Sequence, residues 1–194
     1  MLRLGILASH QGSNFQTIAD ACAEGSLNAQ VVALICNNSN APVVERADRM
    51  QIPAYHLSRS THSEASALDA AIYKHLSCAQ VQLVVLAGYM KKLGPLVLGE
   101  FAGRIINVHP SLLPRHGGQG YFGMRVHEAV IAAGDQETGV TIHHVTDQYD
   151  EGAPIRQAKV AITEEDTPES LARKVRPIEY RLLLETIKEF SERL

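Results

Sequence analysis

Asn107 and His109 stand two residues apart in Asn107-Val108-His109-Pro110-Ser111-Leu112-Leu113-Pro114, just past an apolar run. In an extended strand, residues i and i+2 point to the same side, so both side chains can face one cavity. An asparagine amide donates to a carbonyl oxygen and an imidazolium donates a second bond. Together they suit an oxyanion forming on a tetrahedral carbon. Pro110 and Pro114 stiffen the turn behind them. A buried structural histidine at a strand exit is the alternative. A second group is the acidic turn Asp147-Gln148-Tyr149-Asp150-Glu151-Gly152, which follows a strand containing His143 and His144. A carboxylate beside His109 would favour the protonated imidazole and raise its pKa, whereas a solvated acidic loop is the commoner fate of such a run.

A third group, Ser9-His10-Gln11-Gly12-Ser13-Asn14, lies between a strand and a helix. Backbone N–H groups at a helix start, with the helix dipole behind them, attract an anion such as phosphate. A plain βα turn capped by Ser13 or Asn14 explains the same residues. The segment matches neither a Walker loop nor the G-x-G-x-x-G fingerprint. Met90-Lys91-Lys92-Leu93 forms a basic-apolar edge after a central strand, or an ordinary solvated helix start. Adjacent strand residues point to opposite faces, so His143 and His144 do not jointly hold an ion. The nine histidines show no H-E-x-x-H spacing, and no metal is expected. Ser111 has no G-x-S-x-G elbow to make it a nucleophile.

The elements that must position these groups alternate. Strands are expected at 4–8, 31–36, 54–57, 83–87 and 104–108, with helices over about 13–23, 43–50 and 63–76. Residues 83–87, Leu-Val-Val-Leu-Ala, are apolar on both faces, as in a parallel sheet covered by helices. This order predicts an α/β fold with an open, doubly wound, mostly parallel sheet. Its ligand sites belong at the carboxyl ends of the strands. Residues 140–145 and 155–162 alternate in polarity and read as an added antiparallel pair. A final helix starts near Pro168 behind a Thr167 cap and runs towards Phe190, with Pro177 able to kink or break it. The glycine-rich stretch His116–Gly123 reads as a mobile loop and a candidate lid.

The 194 residues suit one domain, with a net charge of −3 that argues against a broad nucleic-acid surface. Three widely spaced cysteines and no C-x-x-C indicate reduced thiols rather than a disulfide or zinc framework. No apolar run reaches the roughly 20 residues that span a bilayer, and no signal sequence is apparent. A cytoplasmic protein without membrane or nucleic-acid partners is expected.

Together, Asn107–Pro114, the block from Gly139 to Gly152, Leu83–Met90 and Gln157–Val160 resemble the phosphoribosylglycinamide formyltransferases, folate-dependent enzymes of purine synthesis. The resemblance covers nearly the whole chain. It implies a Rossmann-like formyltransferase domain over residues 1–194, with a phosphate-binding half (1–103) and a catalytic and folate-binding half (104–194). It implies Asn107, His109 and Asp150 as catalytic residues, and favours Asp150 over Asp147. Gly12, Ser13, Asn14 and Glu179 would bind glycinamide ribonucleotide. Met90, Lys91, Lys92, Leu93 and Asn107, with Thr146, Asp147, Gln148, Tyr149 and Asp150, would line the folate. The co-substrate would be 10-formyltetrahydrofolate, without a metal, in a monomer or weak homodimer.

The chain departs from that pattern in places. His10 replaces a usual glycine, Lys91 a frequent arginine, and no arginine stands near Ser63 and Glu64 for the folate tail. The loop 116–123 is longer than in compact members. Methionyl-tRNA and sugar formyltransferases share the Asn-x-His and Asp set. Pro110 and the absence of a further basic C-terminal domain favour the purine enzyme. Formyltetrahydrofolate hydrolase is a second rival, expected to carry an extra N-terminal domain. A non-catalytic folate- or nucleotide-binding module is a third, since fold alone does not give function.

Overall fold

The computed structural model describes residues 1–193. Its elements run β1 (Leu2–Ala8), α1 (Ser13–Ala23), β2 (Ala29–Cys36), α2 (Pro42–Arg49), β3 (Ala54–His56), α3 (Ala65–Cys78), β4 (Leu83–Leu86), α4 (Pro95–Glu100), β5 (Ile105–His109), α5 (Met124–Ala132), β6 (Glu137–His144), β7 (Pro154–Ala161) and α6 (Pro168–Glu192). The strands form one sheet in the order β3-β2-β1-β4-β5-β6-β7. The α/β architecture is the expected one. β1 pairs in parallel with β2 and β4, and β2 with β3. β6 and β7 pair antiparallel.

The chain divides into two compact units. The first holds residues 1–106 and the chain's last residues from Ile187; the second holds Asn107–Thr186. In the first unit, Leu4, Ile6, Leu7, Phe15, Ile18, Leu34, Ile35, Leu76 and Leu83 are fully buried. Each such side chain contributes roughly 1.5–3 kcal/mol of transfer free energy. The continuous burial of β4 explains why its residues are apolar on both faces. In the second unit, Val126, Val130, Val140, Ile142, Leu171 and Val175 form the core.

Three local expectations are corrected. Neither Ser13 nor Asn14 caps α1: the cap is Gly12 in the left-handed region, and no side chain completes it. Residues 90–93 do not start a helix, because α4 begins only at Pro95, which fixes the first-turn φ. Pro177 does not break α6, which continues to Glu192. The short helices α4 and α5 had no counterpart in the sequence reading.

Candidate active site

The second unit gathers the candidate catalytic residues. Asn107 and His109 occupy the carboxyl end of β5, and Asp150 lies in the turn between β6 and β7. His109 Nδ1 is 3.5 Å from Asp150 Oδ2, with side chains only 5% and 11% exposed. Asn107 Nδ2 donates to Asp150 Oδ1 at 3.5 Å and lies 3.0 Å from His143 Nε2. His143 Nδ1 is 2.8 Å from the carbonyl oxygen of His144. A carbonyl only accepts, so His143 carries its proton on Nδ1 and receives the Asn107 amide on Nε2. Both amide hydrogens of Asn107 thus face acceptors, and the longer bond, to Asp150, is the easier one to exchange for a ligand oxygen.

The backbone around the cluster is held in place. Asp150 has φ of 58°, in the left-handed region, where aspartate is one of the few side chains tolerated. Its Oδ2 accepts the Gly118 N–H at 2.9 Å. The carbonyl of His116 takes the Nε2–H of His109 at 2.8 Å. The stretch 116–118 therefore grips both members of the His109–Asp150 pair. Gly117 packs closely here: a Cβ there would meet Leu113 Cδ2 at 2.4 Å and Asp150 Cβ at 3.3 Å, so a side chain would have to displace the leucine tip beside the cluster. The turn behind His109 is pinned from β6 and β7. Thr141 Oγ1 donates to the Ser111 carbonyl at 2.7 Å and accepts the Leu113 N–H at 3.0 Å. Gln157 Nε2 donates to Thr141 Oγ1 at 2.9 Å and to the Leu113 carbonyl at 3.1 Å.

Electrostatics overturn one expectation. Burial lowers the pKa of His109 and outweighs the Asp150 charge and the His116 carbonyl, both of which raise it. The resting imidazole therefore favours its neutral form, not the protonated one anticipated from a nearby acid. Burial pushes Asp150 up, but His143, His109 and the Gly118 amide together bring it below the usual carboxylate range. The arrangement is an ionised carboxylate facing a neutral ring. Because Nε2–H is committed to a carbonyl, the proton that comes and goes is at Nδ1, the nitrogen nearest the carboxylate.

Asp147 lies in an exposed stretch with Thr146, Gln148 and Tyr149, where Thr146 Oγ1 accepts the Gln148 N–H at 3.2 Å. Of the two candidate acids, Asp150 is the one beside His109. Glu179 sits half-buried in α6. Within the first unit, the other two candidate segments share one edge. Gly12 starts α1 with φ of 72°, and a Cβ there would meet Val43 Cγ2 at 2.3 Å, so only glycine fits. Ser9 accepts the Met90 N–H on Oγ at 2.8 Å and donates to Asn37 Oδ1 at 2.6 Å. That one hydroxyl ties the carboxyl ends of β1, β2 and β4. Lys91 and Lys92 are exposed and Leu93 is buried. Among the described residues, no group of three or more His, Cys, Asp or Glu is arranged to hold a metal.

His143, His116 and Gly118 were not among the residues expected at the site. His143 had a readable signal: it shares the Thr141 face of β6 by alternation. His116 and Gly118 act mainly through backbone groups, which leave no signature in side-chain type.

The formyl transferase family model matches residues 2–187. The chain is 41% identical over 192 residues to a protein of Haemophilus influenzae named phosphoribosylglycinamide formyltransferase, covering 99% of this chain and 88% of that one. The crystal structure of glycinamide ribonucleotide transformylase 1 from Symbiobacterium toebii superposes with a TM-score of 0.92 at 38% identity, covering 99% and 88% of the two chains. A formyltetrahydrofolate deformylase from Pseudomonas syringae has a TM-score of 0.87 at 25% identity, with 98% of this chain and 61% of that one covered.

Proposed function

Since the chain belongs to the formyl transferase family, we propose that it moves the formyl group of 10-formyltetrahydrofolate to the amine of glycinamide ribonucleotide, in the cytoplasm, as a step of purine synthesis. The observation that carries this reading is the convergence of Asn107, His109 and Asp150 within one buried cluster. The relatives named for this reaction match nearly the whole chain.

The reaction joins an amine to a formyl carbon through a tetrahedral adduct. Asn107 turns one amide hydrogen from Asp150 to the adduct's oxygen. His109, held by the His116 carbonyl, offers its Nδ1 edge. Negative charge growing on the oxygen offsets the burial that keeps the ring neutral, so the imidazolium becomes favourable only as the adduct forms. The proton it needs is released by the attacking amine, which becomes acidic once its nitrogen is bonded to carbon. Asp150 keeps its charge beside the ring throughout and steadies that proton at Nδ1. On collapse, the proton passes to the departing folate nitrogen. Gly12, Ser13 and Asn14 would hold the ribonucleotide phosphate and Glu179 its amine-bearing arm. Met90–Leu93 and Thr146–Asp150 would line the folate. Lys91 would meet a folate carboxylate as a point charge rather than a planar fork.

The likeness to a deformylase supports one second reading, hydrolysis of the formyl donor by water. An assay with 10-formyltetrahydrofolate separates them. Tetrahydrofolate should appear only when glycinamide ribonucleotide is added. Release without the amine would identify the hydrolase, and no release under either condition would leave a binding protein.

A further inference from the structure

The grip on His109 has an anchor that the proposed chemistry does not touch. His116, whose carbonyl accepts the His109 Nε2–H at 2.8 Å, has φ of 52°, a left-handed conformation that costs a non-glycine residue about 1 kcal/mol. Something must hold it there. Its ring Nε2 lies 2.7 Å from Asp135 Oδ2, with side chains 14% and 8% exposed. The other Asp135 oxygen pairs with the guanidinium of Arg115. The Arg115 carbonyl in turn accepts the Ser111 hydroxyl at 2.7 Å. Asp135 itself sits on a fixed support, between the end of α5 and the start of β6.

We propose that Asp135 is a positioning residue for the formyl transfer: by gripping the His116 ring it holds the His116 carbonyl where it fixes the His109 ring and its tautomer. The reason is geometric. A carbonyl only accepts, so a carbonyl held at His109 Nε2 forces the proton onto that nitrogen. Nδ1 is then left facing Asp150, ready to take up and return a proton. Released from Asp135, residue 116 would relax from its strained conformation and the carbonyl would swing off the ring. His109 would then populate both tautomers, and the one with its proton on Nδ1 cannot accept there. This inference rests on the role given to His109 above.

The test uses Asp135→Ala and, as a second route to the same loss, His116→Ala, which removes the ring that Asp135 grips and, unlike asparagine, brings no tolerance of the left-handed backbone. Turnover should fall on the order of ten- to a hundredfold, with KM for both substrates changed by no more than about threefold. Nitrogen-15 spectra of the histidine rings should show His109 with its proton on Nε2 in the native protein and a tautomer mixture in both variants. The groups facing His109 are Asp150, His116, His143 and His127. With the carbonyl contribution gone and Asp150 intact, the His109 titration should move to lower pH. Turnover within about twofold of native, or a loss of turnover with unchanged His109 nitrogen signals, would overturn the proposal. The spectra need no substrate. They decide the grip even if the transfer assay were to reject the functional reading.

Discussion

At His109, the carbonyl of His116 and the carboxylate of Asp150 both attract a second proton, while enclosure in the protein repels it. Burial is the larger influence, and the ring rests neutral. In the transfer proposed above, that poise would admit the charge only when a ligand's oxyanion arrives to neutralise it. Two substitutions test the division of labour. Asn107→Ala removes the proposed donor to the oxyanion and should lower kcat on the order of a hundredfold with little change in KM. Asp150→Asn keeps the shape and tolerates the left-handed backbone, so the fold should survive with a melting temperature within a few degrees of native. Its kcat should nonetheless drop on the order of a hundredfold, because the ring loses the charge that steadies its second proton. Near-native kcat in steady-state assays of either variant would remove that residue from its assigned role. The i, i+2 spacing made Asn107 and His109 readable, since strand geometry is local. The neutrality of His109 was not readable, since desolvation depends on what the rest of the chain packs around it.

At the scale of elements, regular periodicity and terminal signals carried most of the information. Thr167 caps α6 as its sequence suggests: its Oγ1 accepts the Ser170 N–H at 3.2 Å and Ser170 Oγ accepts the Thr167 N–H at 3.0 Å. The six-residue helix α4 is different, because its start is completed from elsewhere. Asp69, in the middle of α3 and only 5% exposed, accepts the Leu96 N–H at 2.8 Å and the Val97 N–H at 3.2 Å. It caps amides 27 and 28 positions further along the chain, which only the fold brings to it, and Gly94 leaves room for it: a Cβ there would meet the Asp69 carboxyl carbon at 2.2 Å. Asp69→Ala would leave two helix-start amides without this acceptor. The expected cost is about 2–3 kcal/mol, read as a fall in melting temperature on the order of 5–10 °C. A fall of less than about 2 °C in thermal unfolding would show that water replaces the carboxylate. An acid on a helix face normally reads as solvent-facing, so neither this cap nor α4 was legible beforehand.

At the scale of the whole molecule, buried titratable groups link folding to pH. His127 in α5 is 5% exposed, its Nδ1 has no hydrogen-bond partner, and burial, aided by Arg176 and His109, lowers its pKa to about 4. The unfolded imidazole takes its proton near 6.5, the folded one only near 4. Its contribution is complete above about pH 6.5 and is lost as pH falls towards 4, by up to about 3 kcal/mol. Urea unfolding at a series of pH values should show that slope, and His127→Gln should flatten it; equal slopes would rule the linkage out. The sequence by itself determined the alternation of strands and helices and the antiparallel pair, and it singled out Asn107, His109 and Asp150 as candidates. Each of these follows from local periodicity, chain spacing or a family pattern of residue types. Only the tertiary structure decided that the Asp150 carboxylate stands 3.5 Å from the His109 ring, that His143 orients Asn107, and that the 116–118 backbone holds the pair. Those depend on groups up to 43 positions apart meeting in space, and on the dielectric their meeting creates, neither of which is written in any short stretch of the chain.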